Sequence, residues 1–178
     1  MIFEEKTMKS EKLYEGRIIN LKLETVELPD KKYTKREIID HPGSVGIVPV
    51  TEDNKIILVK QFRKAIEKPL LEIPAGKLEH GEEPVGCAVR ELKEETGFDC
   101  DKIQFLLEFY TSPGFCNEKV YLFLATGLYE GVAEPENDEY IEVIKFEINE
   151  LLNMIHNGEI TDSKTIIGVT MANNFLKK

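Results

Sequence analysis

The sequence predicts a mixed α/β or α+β sandwich, and three observations carry that reading. Short stretches with period-two alternation fill the first forty residues, near-continuous apolar runs follow at 45–50 and 56–62, and one clear helical pattern spans 83–96. The alternating stretches are 12–18 and 21–26, then a Pro29-Asp30 turn and a further run at 33–39, so residues 1–42 read as a small antiparallel β unit. Residues 43–178 read as the main domain. In it, 45–50 and 56–62 are apolar without alternation, as expected of central-sheet strands covered on both faces, and Glu52-Asp53-Asn54 supplies the turn between them.

From 83 to 96, Val85, Ala88, Val89 and Leu92 recur at helical spacing, and Gly97 just beyond is a natural stop. Two β-like runs, 103–110 and 120–125, flank a turn at Thr111-Ser112-Pro113-Gly114-Phe115. A loop rich in Gly, Pro and acids, 131–139, leads to an expected strand at 140–146. Helices are expected at 148–156 and 163–176, the second capped by Asp162 or Ser163. No fixed-period repeat points to a solenoid.

With 178 residues, 42% of them hydrophobic and 31% charged, the chain suits one soluble domain with a small accessory segment rather than a disordered polymer. Its 33 acidic against 23 basic side chains give a net charge of −10, which argues against nucleic acid as a partner. A phosphate ligand would have to be met through divalent cations that neutralise both sides. The three cysteines, Cys87, Cys100 and Cys116, form neither a paired framework nor a zinc pattern. Together with the lack of a signal-like or membrane-length apolar run, this places the protein in the cytoplasm, away from membranes.

The chemistry concentrates between Gly76 and Phe98. Glu91 and Glu95, four apart on a helix, lie on one face about 5–6 Å apart at Cβ and repel unless a cation intervenes. Glu94 adds a third carboxylate to the same turn, and such hard oxygen donors suit magnesium or manganese. Arg90, four residues before Glu94, is placed to orient that carboxylate. The plain alternative is a solvated glutamate-rich helix face with ordinary pairing at four-residue spacing.

Gly76, Glu82 and Arg90-Glu91-Leu92-Lys93-Glu94-Glu95-Thr96-Gly97-Phe98 fall at the spacing of a complete Nudix box over 76–98, and on these residues the chain resembles a Nudix hydrolase. The resemblance implies a Nudix-type α/β/α sandwich with a mixed sheet, and a loop–helix–loop whose glutamates bind a divalent metal, Mg2+ or Mn2+. It also implies hydrolysis of a nucleoside diphosphate linked to a second moiety, with water attacking phosphorus. Lys60-Gln61-Phe62-Arg63, Leu71-Glu72-Ile73-Pro74-Ala75-Gly76, the segment 162–167, and Pro113 fifteen residues past the box resemble the ADP-ribose pyrophosphatase branch. That branch implies ADP-ribose as substrate, cleaved to AMP and ribose 5-phosphate.

Carried onto this sequence, the resemblance makes the Ala75 carbonyl, Glu91 and Glu95 metal ligands, with Glu94 in or beside that set. Arg63 would contact the diphosphate; its plainer role is an arginine at a strand end paired with a surface acid. Arg36 is implied to reach the substrate of the opposite subunit, which makes the protein a homodimer through its N-terminal strands. Lys77, Ser112 and Pro113 are further expected substrate contacts. The base for the attacking water is expected from the acidic loop, as Glu139, with Glu136 and Asp138 in reserve. Cys87 reads as a small core residue and His80 as a solvent-exposed loop residue. Other Nudix substrates, such as a nucleotide sugar or a dinucleotide coenzyme, stay open, as does a non-catalytic nucleotide-sensing domain.

Overall fold

In the computed structural model, residues 3–132 and 140–176 are described. They hold ten strands and three α-helices: β1 (Lys6–Glu15), β2 (Asn20–Glu27), β3 (Tyr33–Asp40), β4 (Ser44–Pro49), β5 (Lys55–Arg63), β6 (Lys68–Glu72), β7 (Ala75–Lys77), α1 (Pro84–Thr96), β8 (Phe98–Tyr110), β9 (Lys119–Glu130), β10 (Glu142–Glu147), α2 (Ile148–His156) and α3 (Ser163–Leu176). The chain divides into two compact units. One comprises 1–43 with 110–119, the other 44–109 with 120–178.

The smaller unit is an antiparallel sheet in the order β1-β2-β3. The expected first strand at 12–18 is shifted: the strand begins at Lys6 and ends at Glu15, and Gly16 donates its N–H to Ile19 O at 3.0 Å to make the turn. All ten residues of β1 are exposed, so its strand state comes from pairing with β2 rather than from burial. The segment 110–119 joins this unit through Ile39 N–H to Phe115 O at 2.7 Å and Asn117 N–H to Ile39 O at 3.2 Å.

In the larger unit, β4 pairs with β9 in parallel and with β7 antiparallel, giving a mixed sheet β7-β4-β9-β8. A second antiparallel sheet runs β10-β5-β6. The apolar runs at 45–50 and 56–62 are therefore strands, as expected, but of two different sheets, bridged at Val50 and Ile56. Period-two alternation divides the core into layers. Val45, Ile47, Phe123 and Ala125 face Cys87, Ala88 and Leu92 of α1, whereas Val48, Leu122 and Leu124 face Leu151 of α2 and Val169 and Ala172 of α3. That is a helix–sheet–helix sandwich. Both closing helices have the bounds read from the sequence, and Asp162 caps the second, its carboxylate accepting from Thr165 N–H at 2.9 Å. Among the described residues no helix is long and apolar enough to cross a membrane.

Candidate active site

Helix α1 starts on Glu83 with Pro84 in the first turn, where a missing N–H costs nothing. It stops at Gly97, whose φ of 74° closes the helix through a bond from its N–H to Lys93 O at 2.9 Å. The buried face is only half the expected stripe, Ala88 and Leu92. Val85 and Val89 are exposed at 48% and 37%, while Cys87, Ala88, Glu91, Leu92, Glu95 and Thr96 are buried. Two carboxylates thus lie on the inward face of the helix, a placement that costs stability unless each oxygen finds a donor or a cation.

Gly76 makes room for the first. A Cβ on Gly76 would stand 1.8 Å from Glu91 Oε1 and 1.9 Å from its Cδ, so the carboxylate lies against bare backbone at β7. Glu95 Oε2 accepts from Ala75 N–H at 2.9 Å, tying α1 to the same strand. Ala75, Gly76, Glu91 and Glu95 are thereby brought together from two segments. Lys77 lies on β7 beside them, and its carbonyl is contacted by Cys87 Sγ at 3.4 Å.

Arg90 organises the remaining carboxylates. Its Nη1 donates to Glu91 Oε1 and to Glu94 Oε2, both at 2.8 Å, and its Nε and Nη2 donate to the two oxygens of Glu82 at 3.0 and 3.1 Å. The expected Arg90–Glu94 pair is present, and the arginine also holds Glu82 and Glu91, a wider role than the spacing disclosed. Glu82 Oε2 accepts in addition from Glu79 N–H at 3.0 Å, which closes the box loop. The guanidinium, outweighing partial burial, holds the Glu82 carboxyl down to about 2. Conversely, hydrogen bonding to Glu82 raises the Arg90 pKa against desolvation. Burial, with Glu82 alongside, pushes the Cys87 thiol up to about 12, so it stays a protonated core group. His80 is exposed.

The donor set fits a hard divalent cation: three carboxylates on one turn, the Ala75 backbone at their edge, and a glycine where any side chain would collide with Glu91. Among the described residues no three acidic, histidine or cysteine side chains already converge as a complete ligand group. One oxygen each of Glu91 and Glu94 is engaged by Arg90.

A second charged cluster was only partly legible. Arg63, at the end of β5, is paired bidentately with Glu72, its Nε to Oε1 at 2.7 Å and its Nη2 to Oε2 at 2.8 Å. The plainer reading of Arg63 as a paired arginine is therefore present in the structure, but its acid is buried at 1% exposure rather than on the surface. Lys164 of α3 also donates to Glu72 Oε2, and to Asp162 Oδ1 at 3.0 Å. Burial pushes the Glu72 pKa up, but Arg63 and Lys164 outweigh it and the net shift is downward. Thr165 Oγ1 donates to Asp162 Oδ2 at 2.6 Å and accepts from Ile73 N–H at 2.8 Å. Sequence reasoning assigned Glu72, Lys164 and Thr165 no role; the available signal was a single glutamate inside the apolar run Leu70-Leu71-Glu72-Ile73.

Within the smaller unit, Arg36 is paired with Glu5, its Nη2 to Oε1 at 2.6 Å and its Nε to Oε2 at 3.0 Å. Arg36 and Pro113 line a cleft of about 380 Å³ there, together with Tyr110 and Phe115. Ser112 builds the turn, its carbonyl accepting from Phe115 N–H at 3.1 Å and Cys116 N–H at 2.9 Å. Glu136, Asp138 and Glu139 lie outside the described residues.

The model of the NUDIX domain matches residues 40–166. The chain is 46% identical to the methanol dehydrogenase activator of Bacillus methanolicus, over 94% of this chain and 92% of that protein. It is 47% identical to the ADP-ribose pyrophosphatase of Bacillus subtilis, over 93% and 91% respectively. Its fold superposes on a solved structure described as an ADP compounds hydrolase with a TM-score of 0.87, at 20% identity and with 98% and 95% of the two chains covered. A domain model that spans more than half of the chain, two near-full-length relatives, and a box helix that buries its glutamates against β7 agree that this chain is a hydrolase of the Nudix family.

Proposed function

We propose that this Nudix hydrolase cleaves the diphosphate of ADP-ribose to AMP and ribose 5-phosphate, with Mg2+, or Mn2+ in its place. The observation that carries the substrate is the 47% identity to an ADP-ribose pyrophosphatase over nearly the whole of both chains. Glu91, Glu95 and the Ala75 carbonyl would hold the cation, with Glu94 beside them. When bound, the cation neutralises phosphate charge and makes water a better nucleophile.

The chain's own groups do the rest. Arg90 fixes the carboxylates in one arrangement, so little reorganisation accompanies the reaction. Arg63 donates to the diphosphate from the guanidinium edge turned away from Glu72. Glu139, or else Glu136 or Asp138, takes the proton of the attacking water as its oxygen bonds to phosphorus and the bridging oxygen leaves with the other phosphate. In the smaller unit, Arg36 is offered to the substrate of the opposite subunit from a cleft it lines with Tyr110, Pro113 and Phe115, and Ser112 and Pro113 supply further substrate contacts; Lys77 supplies a further cation beside the box. Pairing of two subunits through the N-terminal strands is supported by Met8, Leu13 and Tyr14, all exposed on β1. The cytoplasm is supported by Cys87, Cys100 and Cys116, all free thiols.

The test is incubation with ADP-ribose and MgCl2, with nucleotides resolved by chromatography. AMP and ribose 5-phosphate in equal amounts are expected, and both vanish on chelation. Absence of both products, with a nucleotide sugar cleaved instead, would overturn the substrate.

A further inference from the structure

Glu72 is the most buried acid among the described residues, and its surroundings explain why it is retained there. Both Arg63 bonds use the Nε–Nη2 edge of the guanidinium, and Lys164 reaches the same Glu72 Oε2 that Nη2 occupies. A carboxylate held by Arg63 alone could rotate about its Cγ–Cδ bond and carry the guanidinium with it. The second cation on Oε2 fixes the carboxylate plane, and the ammonium is itself fixed by Asp162 at 3.0 Å. The backbone is fastened at the same place, since Ile73 N–H donates to Thr165 Oγ1, a side chain with no exposed surface. Two residues further on begins β7, with Ala75 and Gly76. One turn of α3 thus holds both the acid that carries Arg63 and the backbone that enters the box.

We propose that Lys164 is a positioning residue for the diphosphate: by pinning Glu72 it sets the direction of the Arg63 guanidinium, whose remaining N–H groups receive the substrate phosphates. This rests on the proposed function in taking a diphosphate as the ligand. Arg63 suits the task because its side chain is 41% exposed while its partner is buried, so one edge is anchored and the other meets solvent. Without Lys164, Glu72 keeps a single cation, the arginine is drawn to it more tightly, and its outward donors lose their aim.

The experiment compares wild type, Lys164→Met and Lys164→Arg. KM for ADP-ribose is expected to rise about tenfold in K164M with kcat within about threefold, and to return toward wild type in K164R. In parallel, calorimetry with magnesium pyrophosphate is expected to show a Kd about tenfold weaker in K164M, a readout that a merely structural lysine would not move. Should K164M fail to purify folded, Lys164→Gln carries the same comparison. Equal KM and Kd in wild type and variant, with only the melting temperature lowered, would overturn the assignment, as would failure of the wild type to bind pyrophosphate. A wild type that binds pyrophosphate more tightly than K164M yet leaves ADP-ribose intact overturns the substrate and keeps the positioning role.

Discussion

Replacing Gly76 with alanine isolates the box geometry from fold stability. The new Cβ would stand 1.8 Å from Glu91 Oε1, whereas ordinary contact begins at 3.4 Å, so the carboxylate must retreat by about 1.6 Å. What it meets is the far end of a flexible side chain rather than backbone, so the fold can absorb the change. Gly76 is not among the residues with positive φ, so alanine introduces no backbone strain, and the smaller entropy of its unfolded chain contributes about 0.4–1 kcal/mol in favour of folding. Against this stands a weakened Arg90–Glu91 pair, of about 1–2 kcal/mol. The net loss is at most about 1.6 kcal/mol, and the melting temperature should fall by no more than about 3–6 °C.

Activity should behave differently. A displacement of this size in a group that orients the reacting assembly costs about a hundredfold or more. The assay is kcat/KM for ADP-ribose at saturating Mg2+, beside a thermal melt of the same preparation. Retention of activity within about threefold would refute the assignment of Glu91 to the metal, because its carboxylate cannot stay where it is. A large drop in melting temperature would refute the other half, that Gly76 is there for the site rather than for the fold.

Glu95→Gln keeps an oxygen able to accept from Ala75 N–H, so folding should survive while kcat/KM for ADP-ribose falls by about a hundredfold or more; near-normal turnover would remove Glu95 from the metal site. Glu139→Gln should lower kcat by about 10²–10⁴ and leave KM nearly unchanged, and an unaltered kcat would remove it as base. Glu82 is held at about 2 against an ordinary 4.5, a depressed value, so its contribution is complete above about 4.5 and disappears as pH falls through about 2. Urea unfolding should therefore find wild type about 1–2 kcal/mol more stable than Glu82→Gln at pH 7 and nearly equal to it close to pH 2; a gap independent of pH would show that the Arg90–Glu82 pair is not its source.

The sequence disclosed most where local signals and tertiary structure agree. Helices α2 and α3 and the Gly97 stop follow from periodicity and capping, and tertiary packing had no cause to alter them. In α1 the periodicity found half of the stripe: Ala88 and Leu92 are buried as expected, with Cys87, but Val85 and Val89 are exposed and Glu91 and Glu95 turn inward instead. Cys87, Ala88 and Leu92 set that face in the core, but the room for Glu91 at Gly76 and the partner of Glu95 at the Ala75 N–H lie on another segment, and no pattern within the helix reports them. The short strands β6 and β7 escaped notice because Pro74 separates them and the second has three residues. Strand β1 is polar and wholly exposed, so its true start at Lys6 is set by register with β2. The box could be read from spacing, but the Glu72 cluster spans 92 residues and becomes visible only once α3 is packed against β4 and the end of β6.

The two charged clusters of the larger unit differ in what they can accept. Arg63 and Lys164 face Glu72 and Asp162, two cations against two anions, so this group is neutral, and on the proposed function it would orient a diphosphate rather than attract it. Around Arg90 one guanidinium meets three carboxylates, and Glu95 lies one helical turn beyond Glu91. In a chain whose net charge is −10, that excess would repel a phosphate ligand by several kT. On the proposed function, the attraction would come from a divalent cation held on the carboxylates, and the direction of the diphosphate from Arg63. It follows that chelation should weaken diphosphate binding itself and not only the chemical step. Loss of Lys164, by contrast, should act on binding with the metal still in place.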